Sequence, residues 1–135
     1  MERAVHHALR STKPGESLST TYLFRGSAGN SLYITVGVDE YGVVNSMFIN
    51  LGASGSTIHN VCNALARVIS IAIQNDKATV LQIVQTMEDV SSEVVWIHDD
   101  LGRAGSIPSA IALVLLRQLK LEEELEKLHT AEEEE

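Results

Sequence analysis

Residues 31–50, SLYITVGVDEYGVVNSMFIN, decide the fold. From Ser31 to Val38 the chain alternates, with Leu32, Ile34, Val36 and Val38 on one side and Tyr33 and Thr35 on the other. That period of two is the signature of a half-buried strand. Asp39-Glu40-Tyr41-Gly42 reads as a tight turn, and Val43 to Asn50 supplies the returning strand through Val44, Met47, Phe48 and Ile49. Upstream, Ser19 to Arg25 holds Thr20, Thr21, Tyr22, Leu23 and Phe24, residue types that suit a pleated surface, before Gly26-Ser27-Ala28-Gly29-Asn30 breaks the run. The connections are too short for crossovers, so the strands are antiparallel.

Beyond Leu51 the period changes. Ile58, Val61, Cys62, Leu65, Val68, Ile69, Ala72 and Ile73 recur at helical spacing, which predicts a helix from about Thr57 to Gln74 with Ser56 or Thr57 as cap. Thr79 to Glu88 forms a shorter helix around Val80, Leu81, Ile83, Val84 and Met87. Val94-Val95-Trp96-Ile97 reads either as a fourth strand or as a buried loop, and Leu101 to Ser106 as a Gly/Ser loop. Ile107-Pro108 opens a last helix reaching about residue 129, proline being tolerated in a first turn. The expected class is α+β: an antiparallel sheet of three to four strands packed against two long helices and one short helix. The expected organisation is an arm over 1–18, one domain over 19–121 and an acidic helix end and tail over 122–135.

At 135 residues, 44% hydrophobic, the chain has the length for one domain with an unstapled core. Its single cysteine, Cys62, excludes an intrachain disulfide and a Cys-rich zinc site; on the apolar helix face it reads as an inert core thiol. The absence of an 18-residue apolar run and of an apolar leader gives the expectation of a cytoplasmic protein with no membrane association. The net charge is −8, but the segment from Glu122 onward holds eight glutamates and one lysine, so the body is close to neutral. General nucleic-acid binding, which needs a broad positive surface, is not expected; a local anion site is compatible with this balance.

Two Gly/Ser bends precede helices: Gly52-Ala53-Ser54-Gly55-Ser56-Thr57 and Gly102-Arg103-Ala104-Gly105-Ser106. First-turn amides lack intrahelical partners and sit at the positive end of the helix dipole, so such a bend can hold an anion. Gly and Ser also cap ordinary helices. Neither bend carries the Gly-Lys-Ser/Thr of a phosphate-binding P-loop, and the strand before the first belongs to a meander rather than a dinucleotide fold.

Several segments together resemble the TSCPD domain, a module best known from the C-terminal part of cobalamin-dependent ribonucleotide reductases. They are Arg25-Gly26, Leu32-Tyr33-Ile34-Thr35-Val36 leading into Asp39-Glu40-Tyr41-Gly42, Phe48, the first Gly/Ser bend, Ala64-Leu65-Ala66-Arg67-Val68-Ile69-Ser70, and Gly105-Ser106-Ile107-Pro108-Ser109-Ala110-Ile111-Ala112. The resemblance covers roughly Tyr22 to Leu116. The element that gives the family its name stands here as Gly105-Ser106-Ile107-Pro108-Ser109, without its cysteine and aspartate, and the lysine often seen in the first bend is Ala53. No cysteine-based redox or zinc role carries over; the scaffold, the two bends, Arg25 and Arg67 do. The chain is expected to be a free-standing member. Small proteins of this kind resemble accessory or phage-borne proteins, including the oligomeric sponges with which phages sequester cyclic nucleotide or cyclic ADP-ribose immune signals. That parallel rests on size, bend chemistry and missing catalytic residues.

The remaining candidates follow from residue type. Asn60, Asn63, Arg67, Ser70 and Gln74 form one polar helical stripe, either a ligand- or subunit-facing surface or a solvated face. Arg103 and Arg25 are either phosphate clamps or plain surface arginines. His59 reads as a surface residue or partial cap, His98-Asp99-Asp100 as a polar loop rather than a metal cluster, and His6-His7 carries less still. Ser56 has no histidine partner at a triad spacing. Trp96 and Tyr33 either stack on a base or, as is commoner for tryptophan, pack in the core.

The reading is a non-catalytic, cofactor-free, metal-free binder of a small nucleotide-derived ligand. Amides at Gly55-Ser56-Thr57 and Gly105-Ser106 would hold phosphates, Arg25, Arg67 and Arg103 would neutralise them, and Asn60 and Asn63 would read ribose or base edges. A homo-oligomer, a dimer or a multiple of dimers, is expected, because the long apolar C-terminal helix exceeds what a small sheet covers. The alternative is an accessory module that docks onto a ribonucleotide reductase or a related enzyme. A hydrolase reading lacks a general base near the bends and any metal-ligand spacing.

Overall fold

The computed structural model describes residues 18–51, 57–76 and 78–134. The elements run β1 (Leu18–Gly26), β2 (Ser31–Val38), β3 (Val44–Leu51), α1 (Thr57–Asn75), α2 (Ala78–Met87), β4 (Trp96–His98), β5 (Gly102–Ala104) and α3 (Ile107–Glu134). The strands form one antiparallel sheet in the order β3-β2-β1-β4-β5. The class is α+β, as the sequence indicates; the described residues hold one short and two long helices, and five strands rather than three to four. The His6-His7 pair and Gly52 to Ser56 lie outside the described residues.

The fifth strand carries no propensity signal, since Gly102-Arg103-Ala104 has no β-branched or aromatic residue. Turn chemistry makes it pair. The Nδ1 atom of His98 accepts the amides of Asp100 and Leu101, each at 3.0 Å, and Gly102 sits at φ +90°, where a side chain would be strained. These contacts bring Trp96-Ile97-His98 back onto residues 102–104. His98-Asp99-Asp100 is therefore a hairpin turn, and the His98 ring packs tilted against Tyr22 and Phe24.

The β2–β3 turn is held by Asp39, whose carboxylate accepts the amides of Tyr41 at 2.8 Å and Val43 at 3.0 Å. Past the turn, the register shifts between Gly37 and Val38, opposite Ser46 and Val44, so Asn45 is the extra residue of a β-bulge. The bulge lets Val44 and Met47 both point inward although they are three residues apart.

The three described helices cover one face of the sheet. Phe24, Leu32, Ile34, Val36 and Met47 from the strands meet Cys62, Ala66 and Ile69 of α1, Val80 and Val84 of α2, and Ile111, Val114 and Leu115 of α3. Beyond this core α3 continues past the sheet, and its Leu125 is buried against the β2–β3 turn at Gly42. The uncovered apolar surface expected on this helix is therefore not concentrated there.

Candidate functional site

Helix starts were the expected anion sites, and the second is built to satisfy itself. The Ser106 hydroxyl accepts the Ser109 amide at 3.0 Å and donates to the Val90 carbonyl, while the Ser106 carbonyl accepts the Ala110 amide. Ser106 is thus the N-cap of α3. Pro108 has no amide hydrogen, so Ile107 is left as the one first-turn N–H without a partner among the described residues. The Gly105 carbonyl accepts the Ser92 amide at 2.7 Å, and the Ser109 hydroxyl donates to the Glu88 carbonyl at 3.1 Å. The Gly105–Ser109 segment therefore ties the end of α2 to the start of α3. Its two hydroxyls are occupied by the protein itself, so at Gly105 and Ser106 only backbone amides remain to meet a phosphate.

The strands that lead into the two bends are also apart. β1, β3 and β5 run in one direction, so β3 and β5 both end at the same end of the sheet. They lie, however, on its opposite edges, four inter-strand steps or about 19 Å apart. Gly55 and Ser56 lie outside the described residues, and Thr57 opens α1.

The polar stripe of α1 divides. Ser70 accepts the Met47 amide at 2.8 Å and donates to the Ala66 carbonyl at 2.9 Å; Gln74 donates to the carbonyl of the bulged Asn45 at 2.7 Å. β3 is an edge strand, and these two side chains satisfy backbone groups that would otherwise be open to pairing. Asn60 and Arg67 are exposed and Asn63 is half-buried on the same helix, on the β3 side of the sheet. Arg67 is therefore separated from the other two expected arginines.

Those two come together. Arg25 of β1 pairs with Ile97 of β4, and Ile97 pairs with Arg103 of β5. Directly opposed residues share a face, so Ser31, Arg25, Ile97 and Arg103 form one cross-strand row. Phe24 and Trp96 flank this row in sequence and point into the core, so the row lies on the sheet face turned away from the described helices. The Cα atoms of Arg25 and Arg103 are two strand spacings apart, about 10 Å. Both side chains are exposed, and neither guanidinium has a hydrogen-bond or ion-pair partner among the described residues.

The same face carries residues whose placement the strand reading did not separate. Tyr33, 38% exposed, lies one row along and one strand across from Arg25, between Leu23 and Asn50. Phe48, 63% exposed, is diagonal to Tyr33 on β3, and Ile97 is 54% exposed. The Thr21 and Thr35 hydroxyls meet across the strands at 2.9 Å. The signal lay in the alternation itself: once Leu32, Ile34 and Val36 face inward, Tyr33 must face outward with its cross-strand neighbours. Trp96 is buried, against Gly26, where a Cβ would strike both its ring and Asn30.

The other reactive groups are structural. Cys62 is buried, and burial pushes its thiol above the ordinary value, which suits an unreactive core residue. His59 is half-buried, and its Nδ1 has no partner among the described residues. No three of His, Cys, Asp and Glu gather in a metal-ligating group among the described residues. A shallow depression on α3 is lined by Glu123, Glu126, Lys127, Thr130 and Ala131, an acidic set ill matched to an anion. No helix among the described residues is long and apolar enough to cross a membrane.

No curated protein and no solved structure matches this chain significantly. Residues 8–119 match the TSCPD domain, a module found in ribonucleotide reductases, and with most of its length inside that match the chain belongs to the TSCPD domain family.

Proposed function

We propose that this protein is a non-catalytic binder of a small phosphate-bearing, nucleotide-derived ligand, held on the sheet face opposite the described helices in a homo-oligomer. The observation that carries the reading is the row Arg25–Ile97–Arg103, with two unpaired guanidinia on one exposed surface. Planar arginine forks match phosphate oxygens in geometry as well as charge. Tyr33, diagonal to Arg25, offers a ring on which a base can stack, and Asn50 beside it offers donors and an acceptor for a base edge. Gly55, Ser56 and Thr57 remain candidate anion donors, supplied by a neighbouring copy. A chain that binds without turnover would sequester or sense its ligand, and a phage-type sponge is one form of that role.

Titration calorimetry against nucleotides, cyclic oligonucleotides and cyclic ADP-ribose isomers tests this, with inorganic phosphate as reference. Saturable heat with one nucleotide class, abolished in Arg25→Ala, is the expected result. Absence of heat with every member of the panel overturns the reading.

Family membership favours a second reading, an accessory module that docks onto a ribonucleotide reductase. It predicts co-purification with such an enzyme and no small-ligand heat.

A further inference from the structure

The outward face of α1 lacks the features of a solvated helix. Its 19 residues, TIHNVCNALARVISIAIQN, hold one charged side chain, Arg67. A surface helix ordinarily shows charged and polar residues opposite its buried stripe. Here Cys62, Ala66, Ile69 and Ile73 form the buried stripe, and a second apolar stripe faces away from the protein. Ile58 is 58% exposed, Val61 60%, Val68 63% and Ile71 61%.

The second stripe has an order of its own. Val61, Ala64, Val68, Ile71 and Asn75 are spaced three, four, three and four residues apart, all of them exposed. That is the seam spacing by which two helices pack side chains into each other's gaps, with β-branched residues at three of the five positions and a small alanine permitting close approach. Residues before the seam positions, Asn60, Arg67 and Gln74, are polar, as the flank of such a seam is.

We propose that α1 is the surface through which two copies of this chain associate. The area is of the required size. Ile58, Val61, Val68 and Ile71 leave roughly 100 Å² of apolar side chain each in water, about 400 Å² per chain and 800 Å² for a pair. With the rim at Asn60, Ala64, Arg67 and Asn75, the total approaches the about 1,200 Å² at which specific interfaces begin. Charge depletion at the centre of an exposed apolar patch is what distinguishes an interface core from ordinary surface. The partner is a second copy because a symmetric seam is complementary to itself. This proposal does not depend on the ligand reading: it concerns the opposite side of β3 from the Arg25 row, and its test reads mass rather than ligand heat.

Light scattering on a sizing column, from low to high micromolar protein, is the experiment. The wild-type chain should show a mass of twice 14.7 kDa or an even multiple of it. Val68→Asp with Ile71→Asp should weaken association at least about tenfold and yield monomers with unchanged far-UV dichroism. Should that pair fail to fold, Ala64→Glu, a helix-compatible change on the same seam, should give the same shift. Phe48→Asp, on the open sheet face, should leave the assembly intact. A monomeric wild-type chain, an assembly that survives the seam substitutions in a folded variant, or dissociation by Phe48→Asp overturns the proposal. The last outcome would place the contact on the sheet face, and a monomer would leave residues 1–17 of the same chain as the stripe's cover.

Discussion

The side-chain amide of Gln118, on α3, donates to the phenol oxygen of Tyr22, on β1, and both residues are buried. The bond joins segments almost a hundred residues apart and fixes the long helix against the sheet. Burial pushes the Tyr22 phenol above its ordinary value of 10.0; the hydrogen bond from Gln118 and the charge of Arg117 pull the other way and do not win.

The fold therefore favours the neutral phenol. Its contribution to stability is complete below the unfolded value near 10 and is lost as pH rises from there through the higher folded value. Phenolate absorbance should show the Tyr22 step above its ordinary value and coincident with alkaline unfolding. Tyr22→Phe should remove that step and, by leaving the Gln118 amide unpaired, cost about 1–3 kcal/mol at neutral pH in a urea melt. A Tyr22 phenol that ionises at its ordinary value in folded protein, identified by its loss in Tyr22→Phe, contradicts this.

Ser106 separates capping from ligand binding. Ser106→Ala removes the cap of α3 and the donor to the Val90 carbonyl, so it should lower stability by about 1–2 kcal/mol. Because the hydroxyl is already occupied on both counts, ligand affinity should be unchanged in the folded variant. A stability loss too small to measure, with lost ligand heat, would return this bend to the site.

The meander was legible because its chemistry is local. Leu32, Ile34 and Val36 alternate, and Asp39 and Gly42 are turn residues by type. The helices were legible for the same reason, to within a few residues. β5 was not, because Gly102-Arg103-Ala104 is a strand only through the turn that His98 organises. The candidate site was half legible. Residue type alone singled out Arg25 and Arg103, but their sharing a row depends on β4 lying between β1 and β5, a long-range pairing with no local signature. The stripe through Arg67 read as one surface, yet Ser70 and Gln74 serve the edge of β3 and a bulge at Asn45 that only the register reveals.

Gly42 tests the anchoring of the C-terminal half of α3. Its φ of +80° lies in the left-handed region, and an added Cβ would collide with the Leu125 side chain. Gly42→Ala meets both obstacles and should cost about 1–3 kcal/mol. Leu125→Ala relieves the collision, so the double variant should be more stable than the sum of the two single changes implies. Strict additivity in thermal melts would mean that Leu125 does not rest on the turn.

The arginine row makes the sharpest claim about recognition. If Arg25 and Arg103 grip one anion across Ile97, removing either leaves the other a weaker, single-handed contact, and their effects are coupled. Charge-assisted bonds of this kind are worth about 1.5–3 kcal/mol each, so Arg25→Ala or Arg103→Ala should weaken a phosphate-bearing ligand by roughly ten- to a hundredfold. The double variant should lose less than the product of the single losses. Lysine at either place keeps the charge without the planar fork and should recover only part of the affinity. Arg67→Ala, on the β3 side of the sheet, should leave binding unchanged in a monomer and matter only where a neighbouring copy brings that helix to the row. Equal losses from Arg67→Ala and Arg25→Ala in a chain shown to be monomeric would mean the anion sits elsewhere.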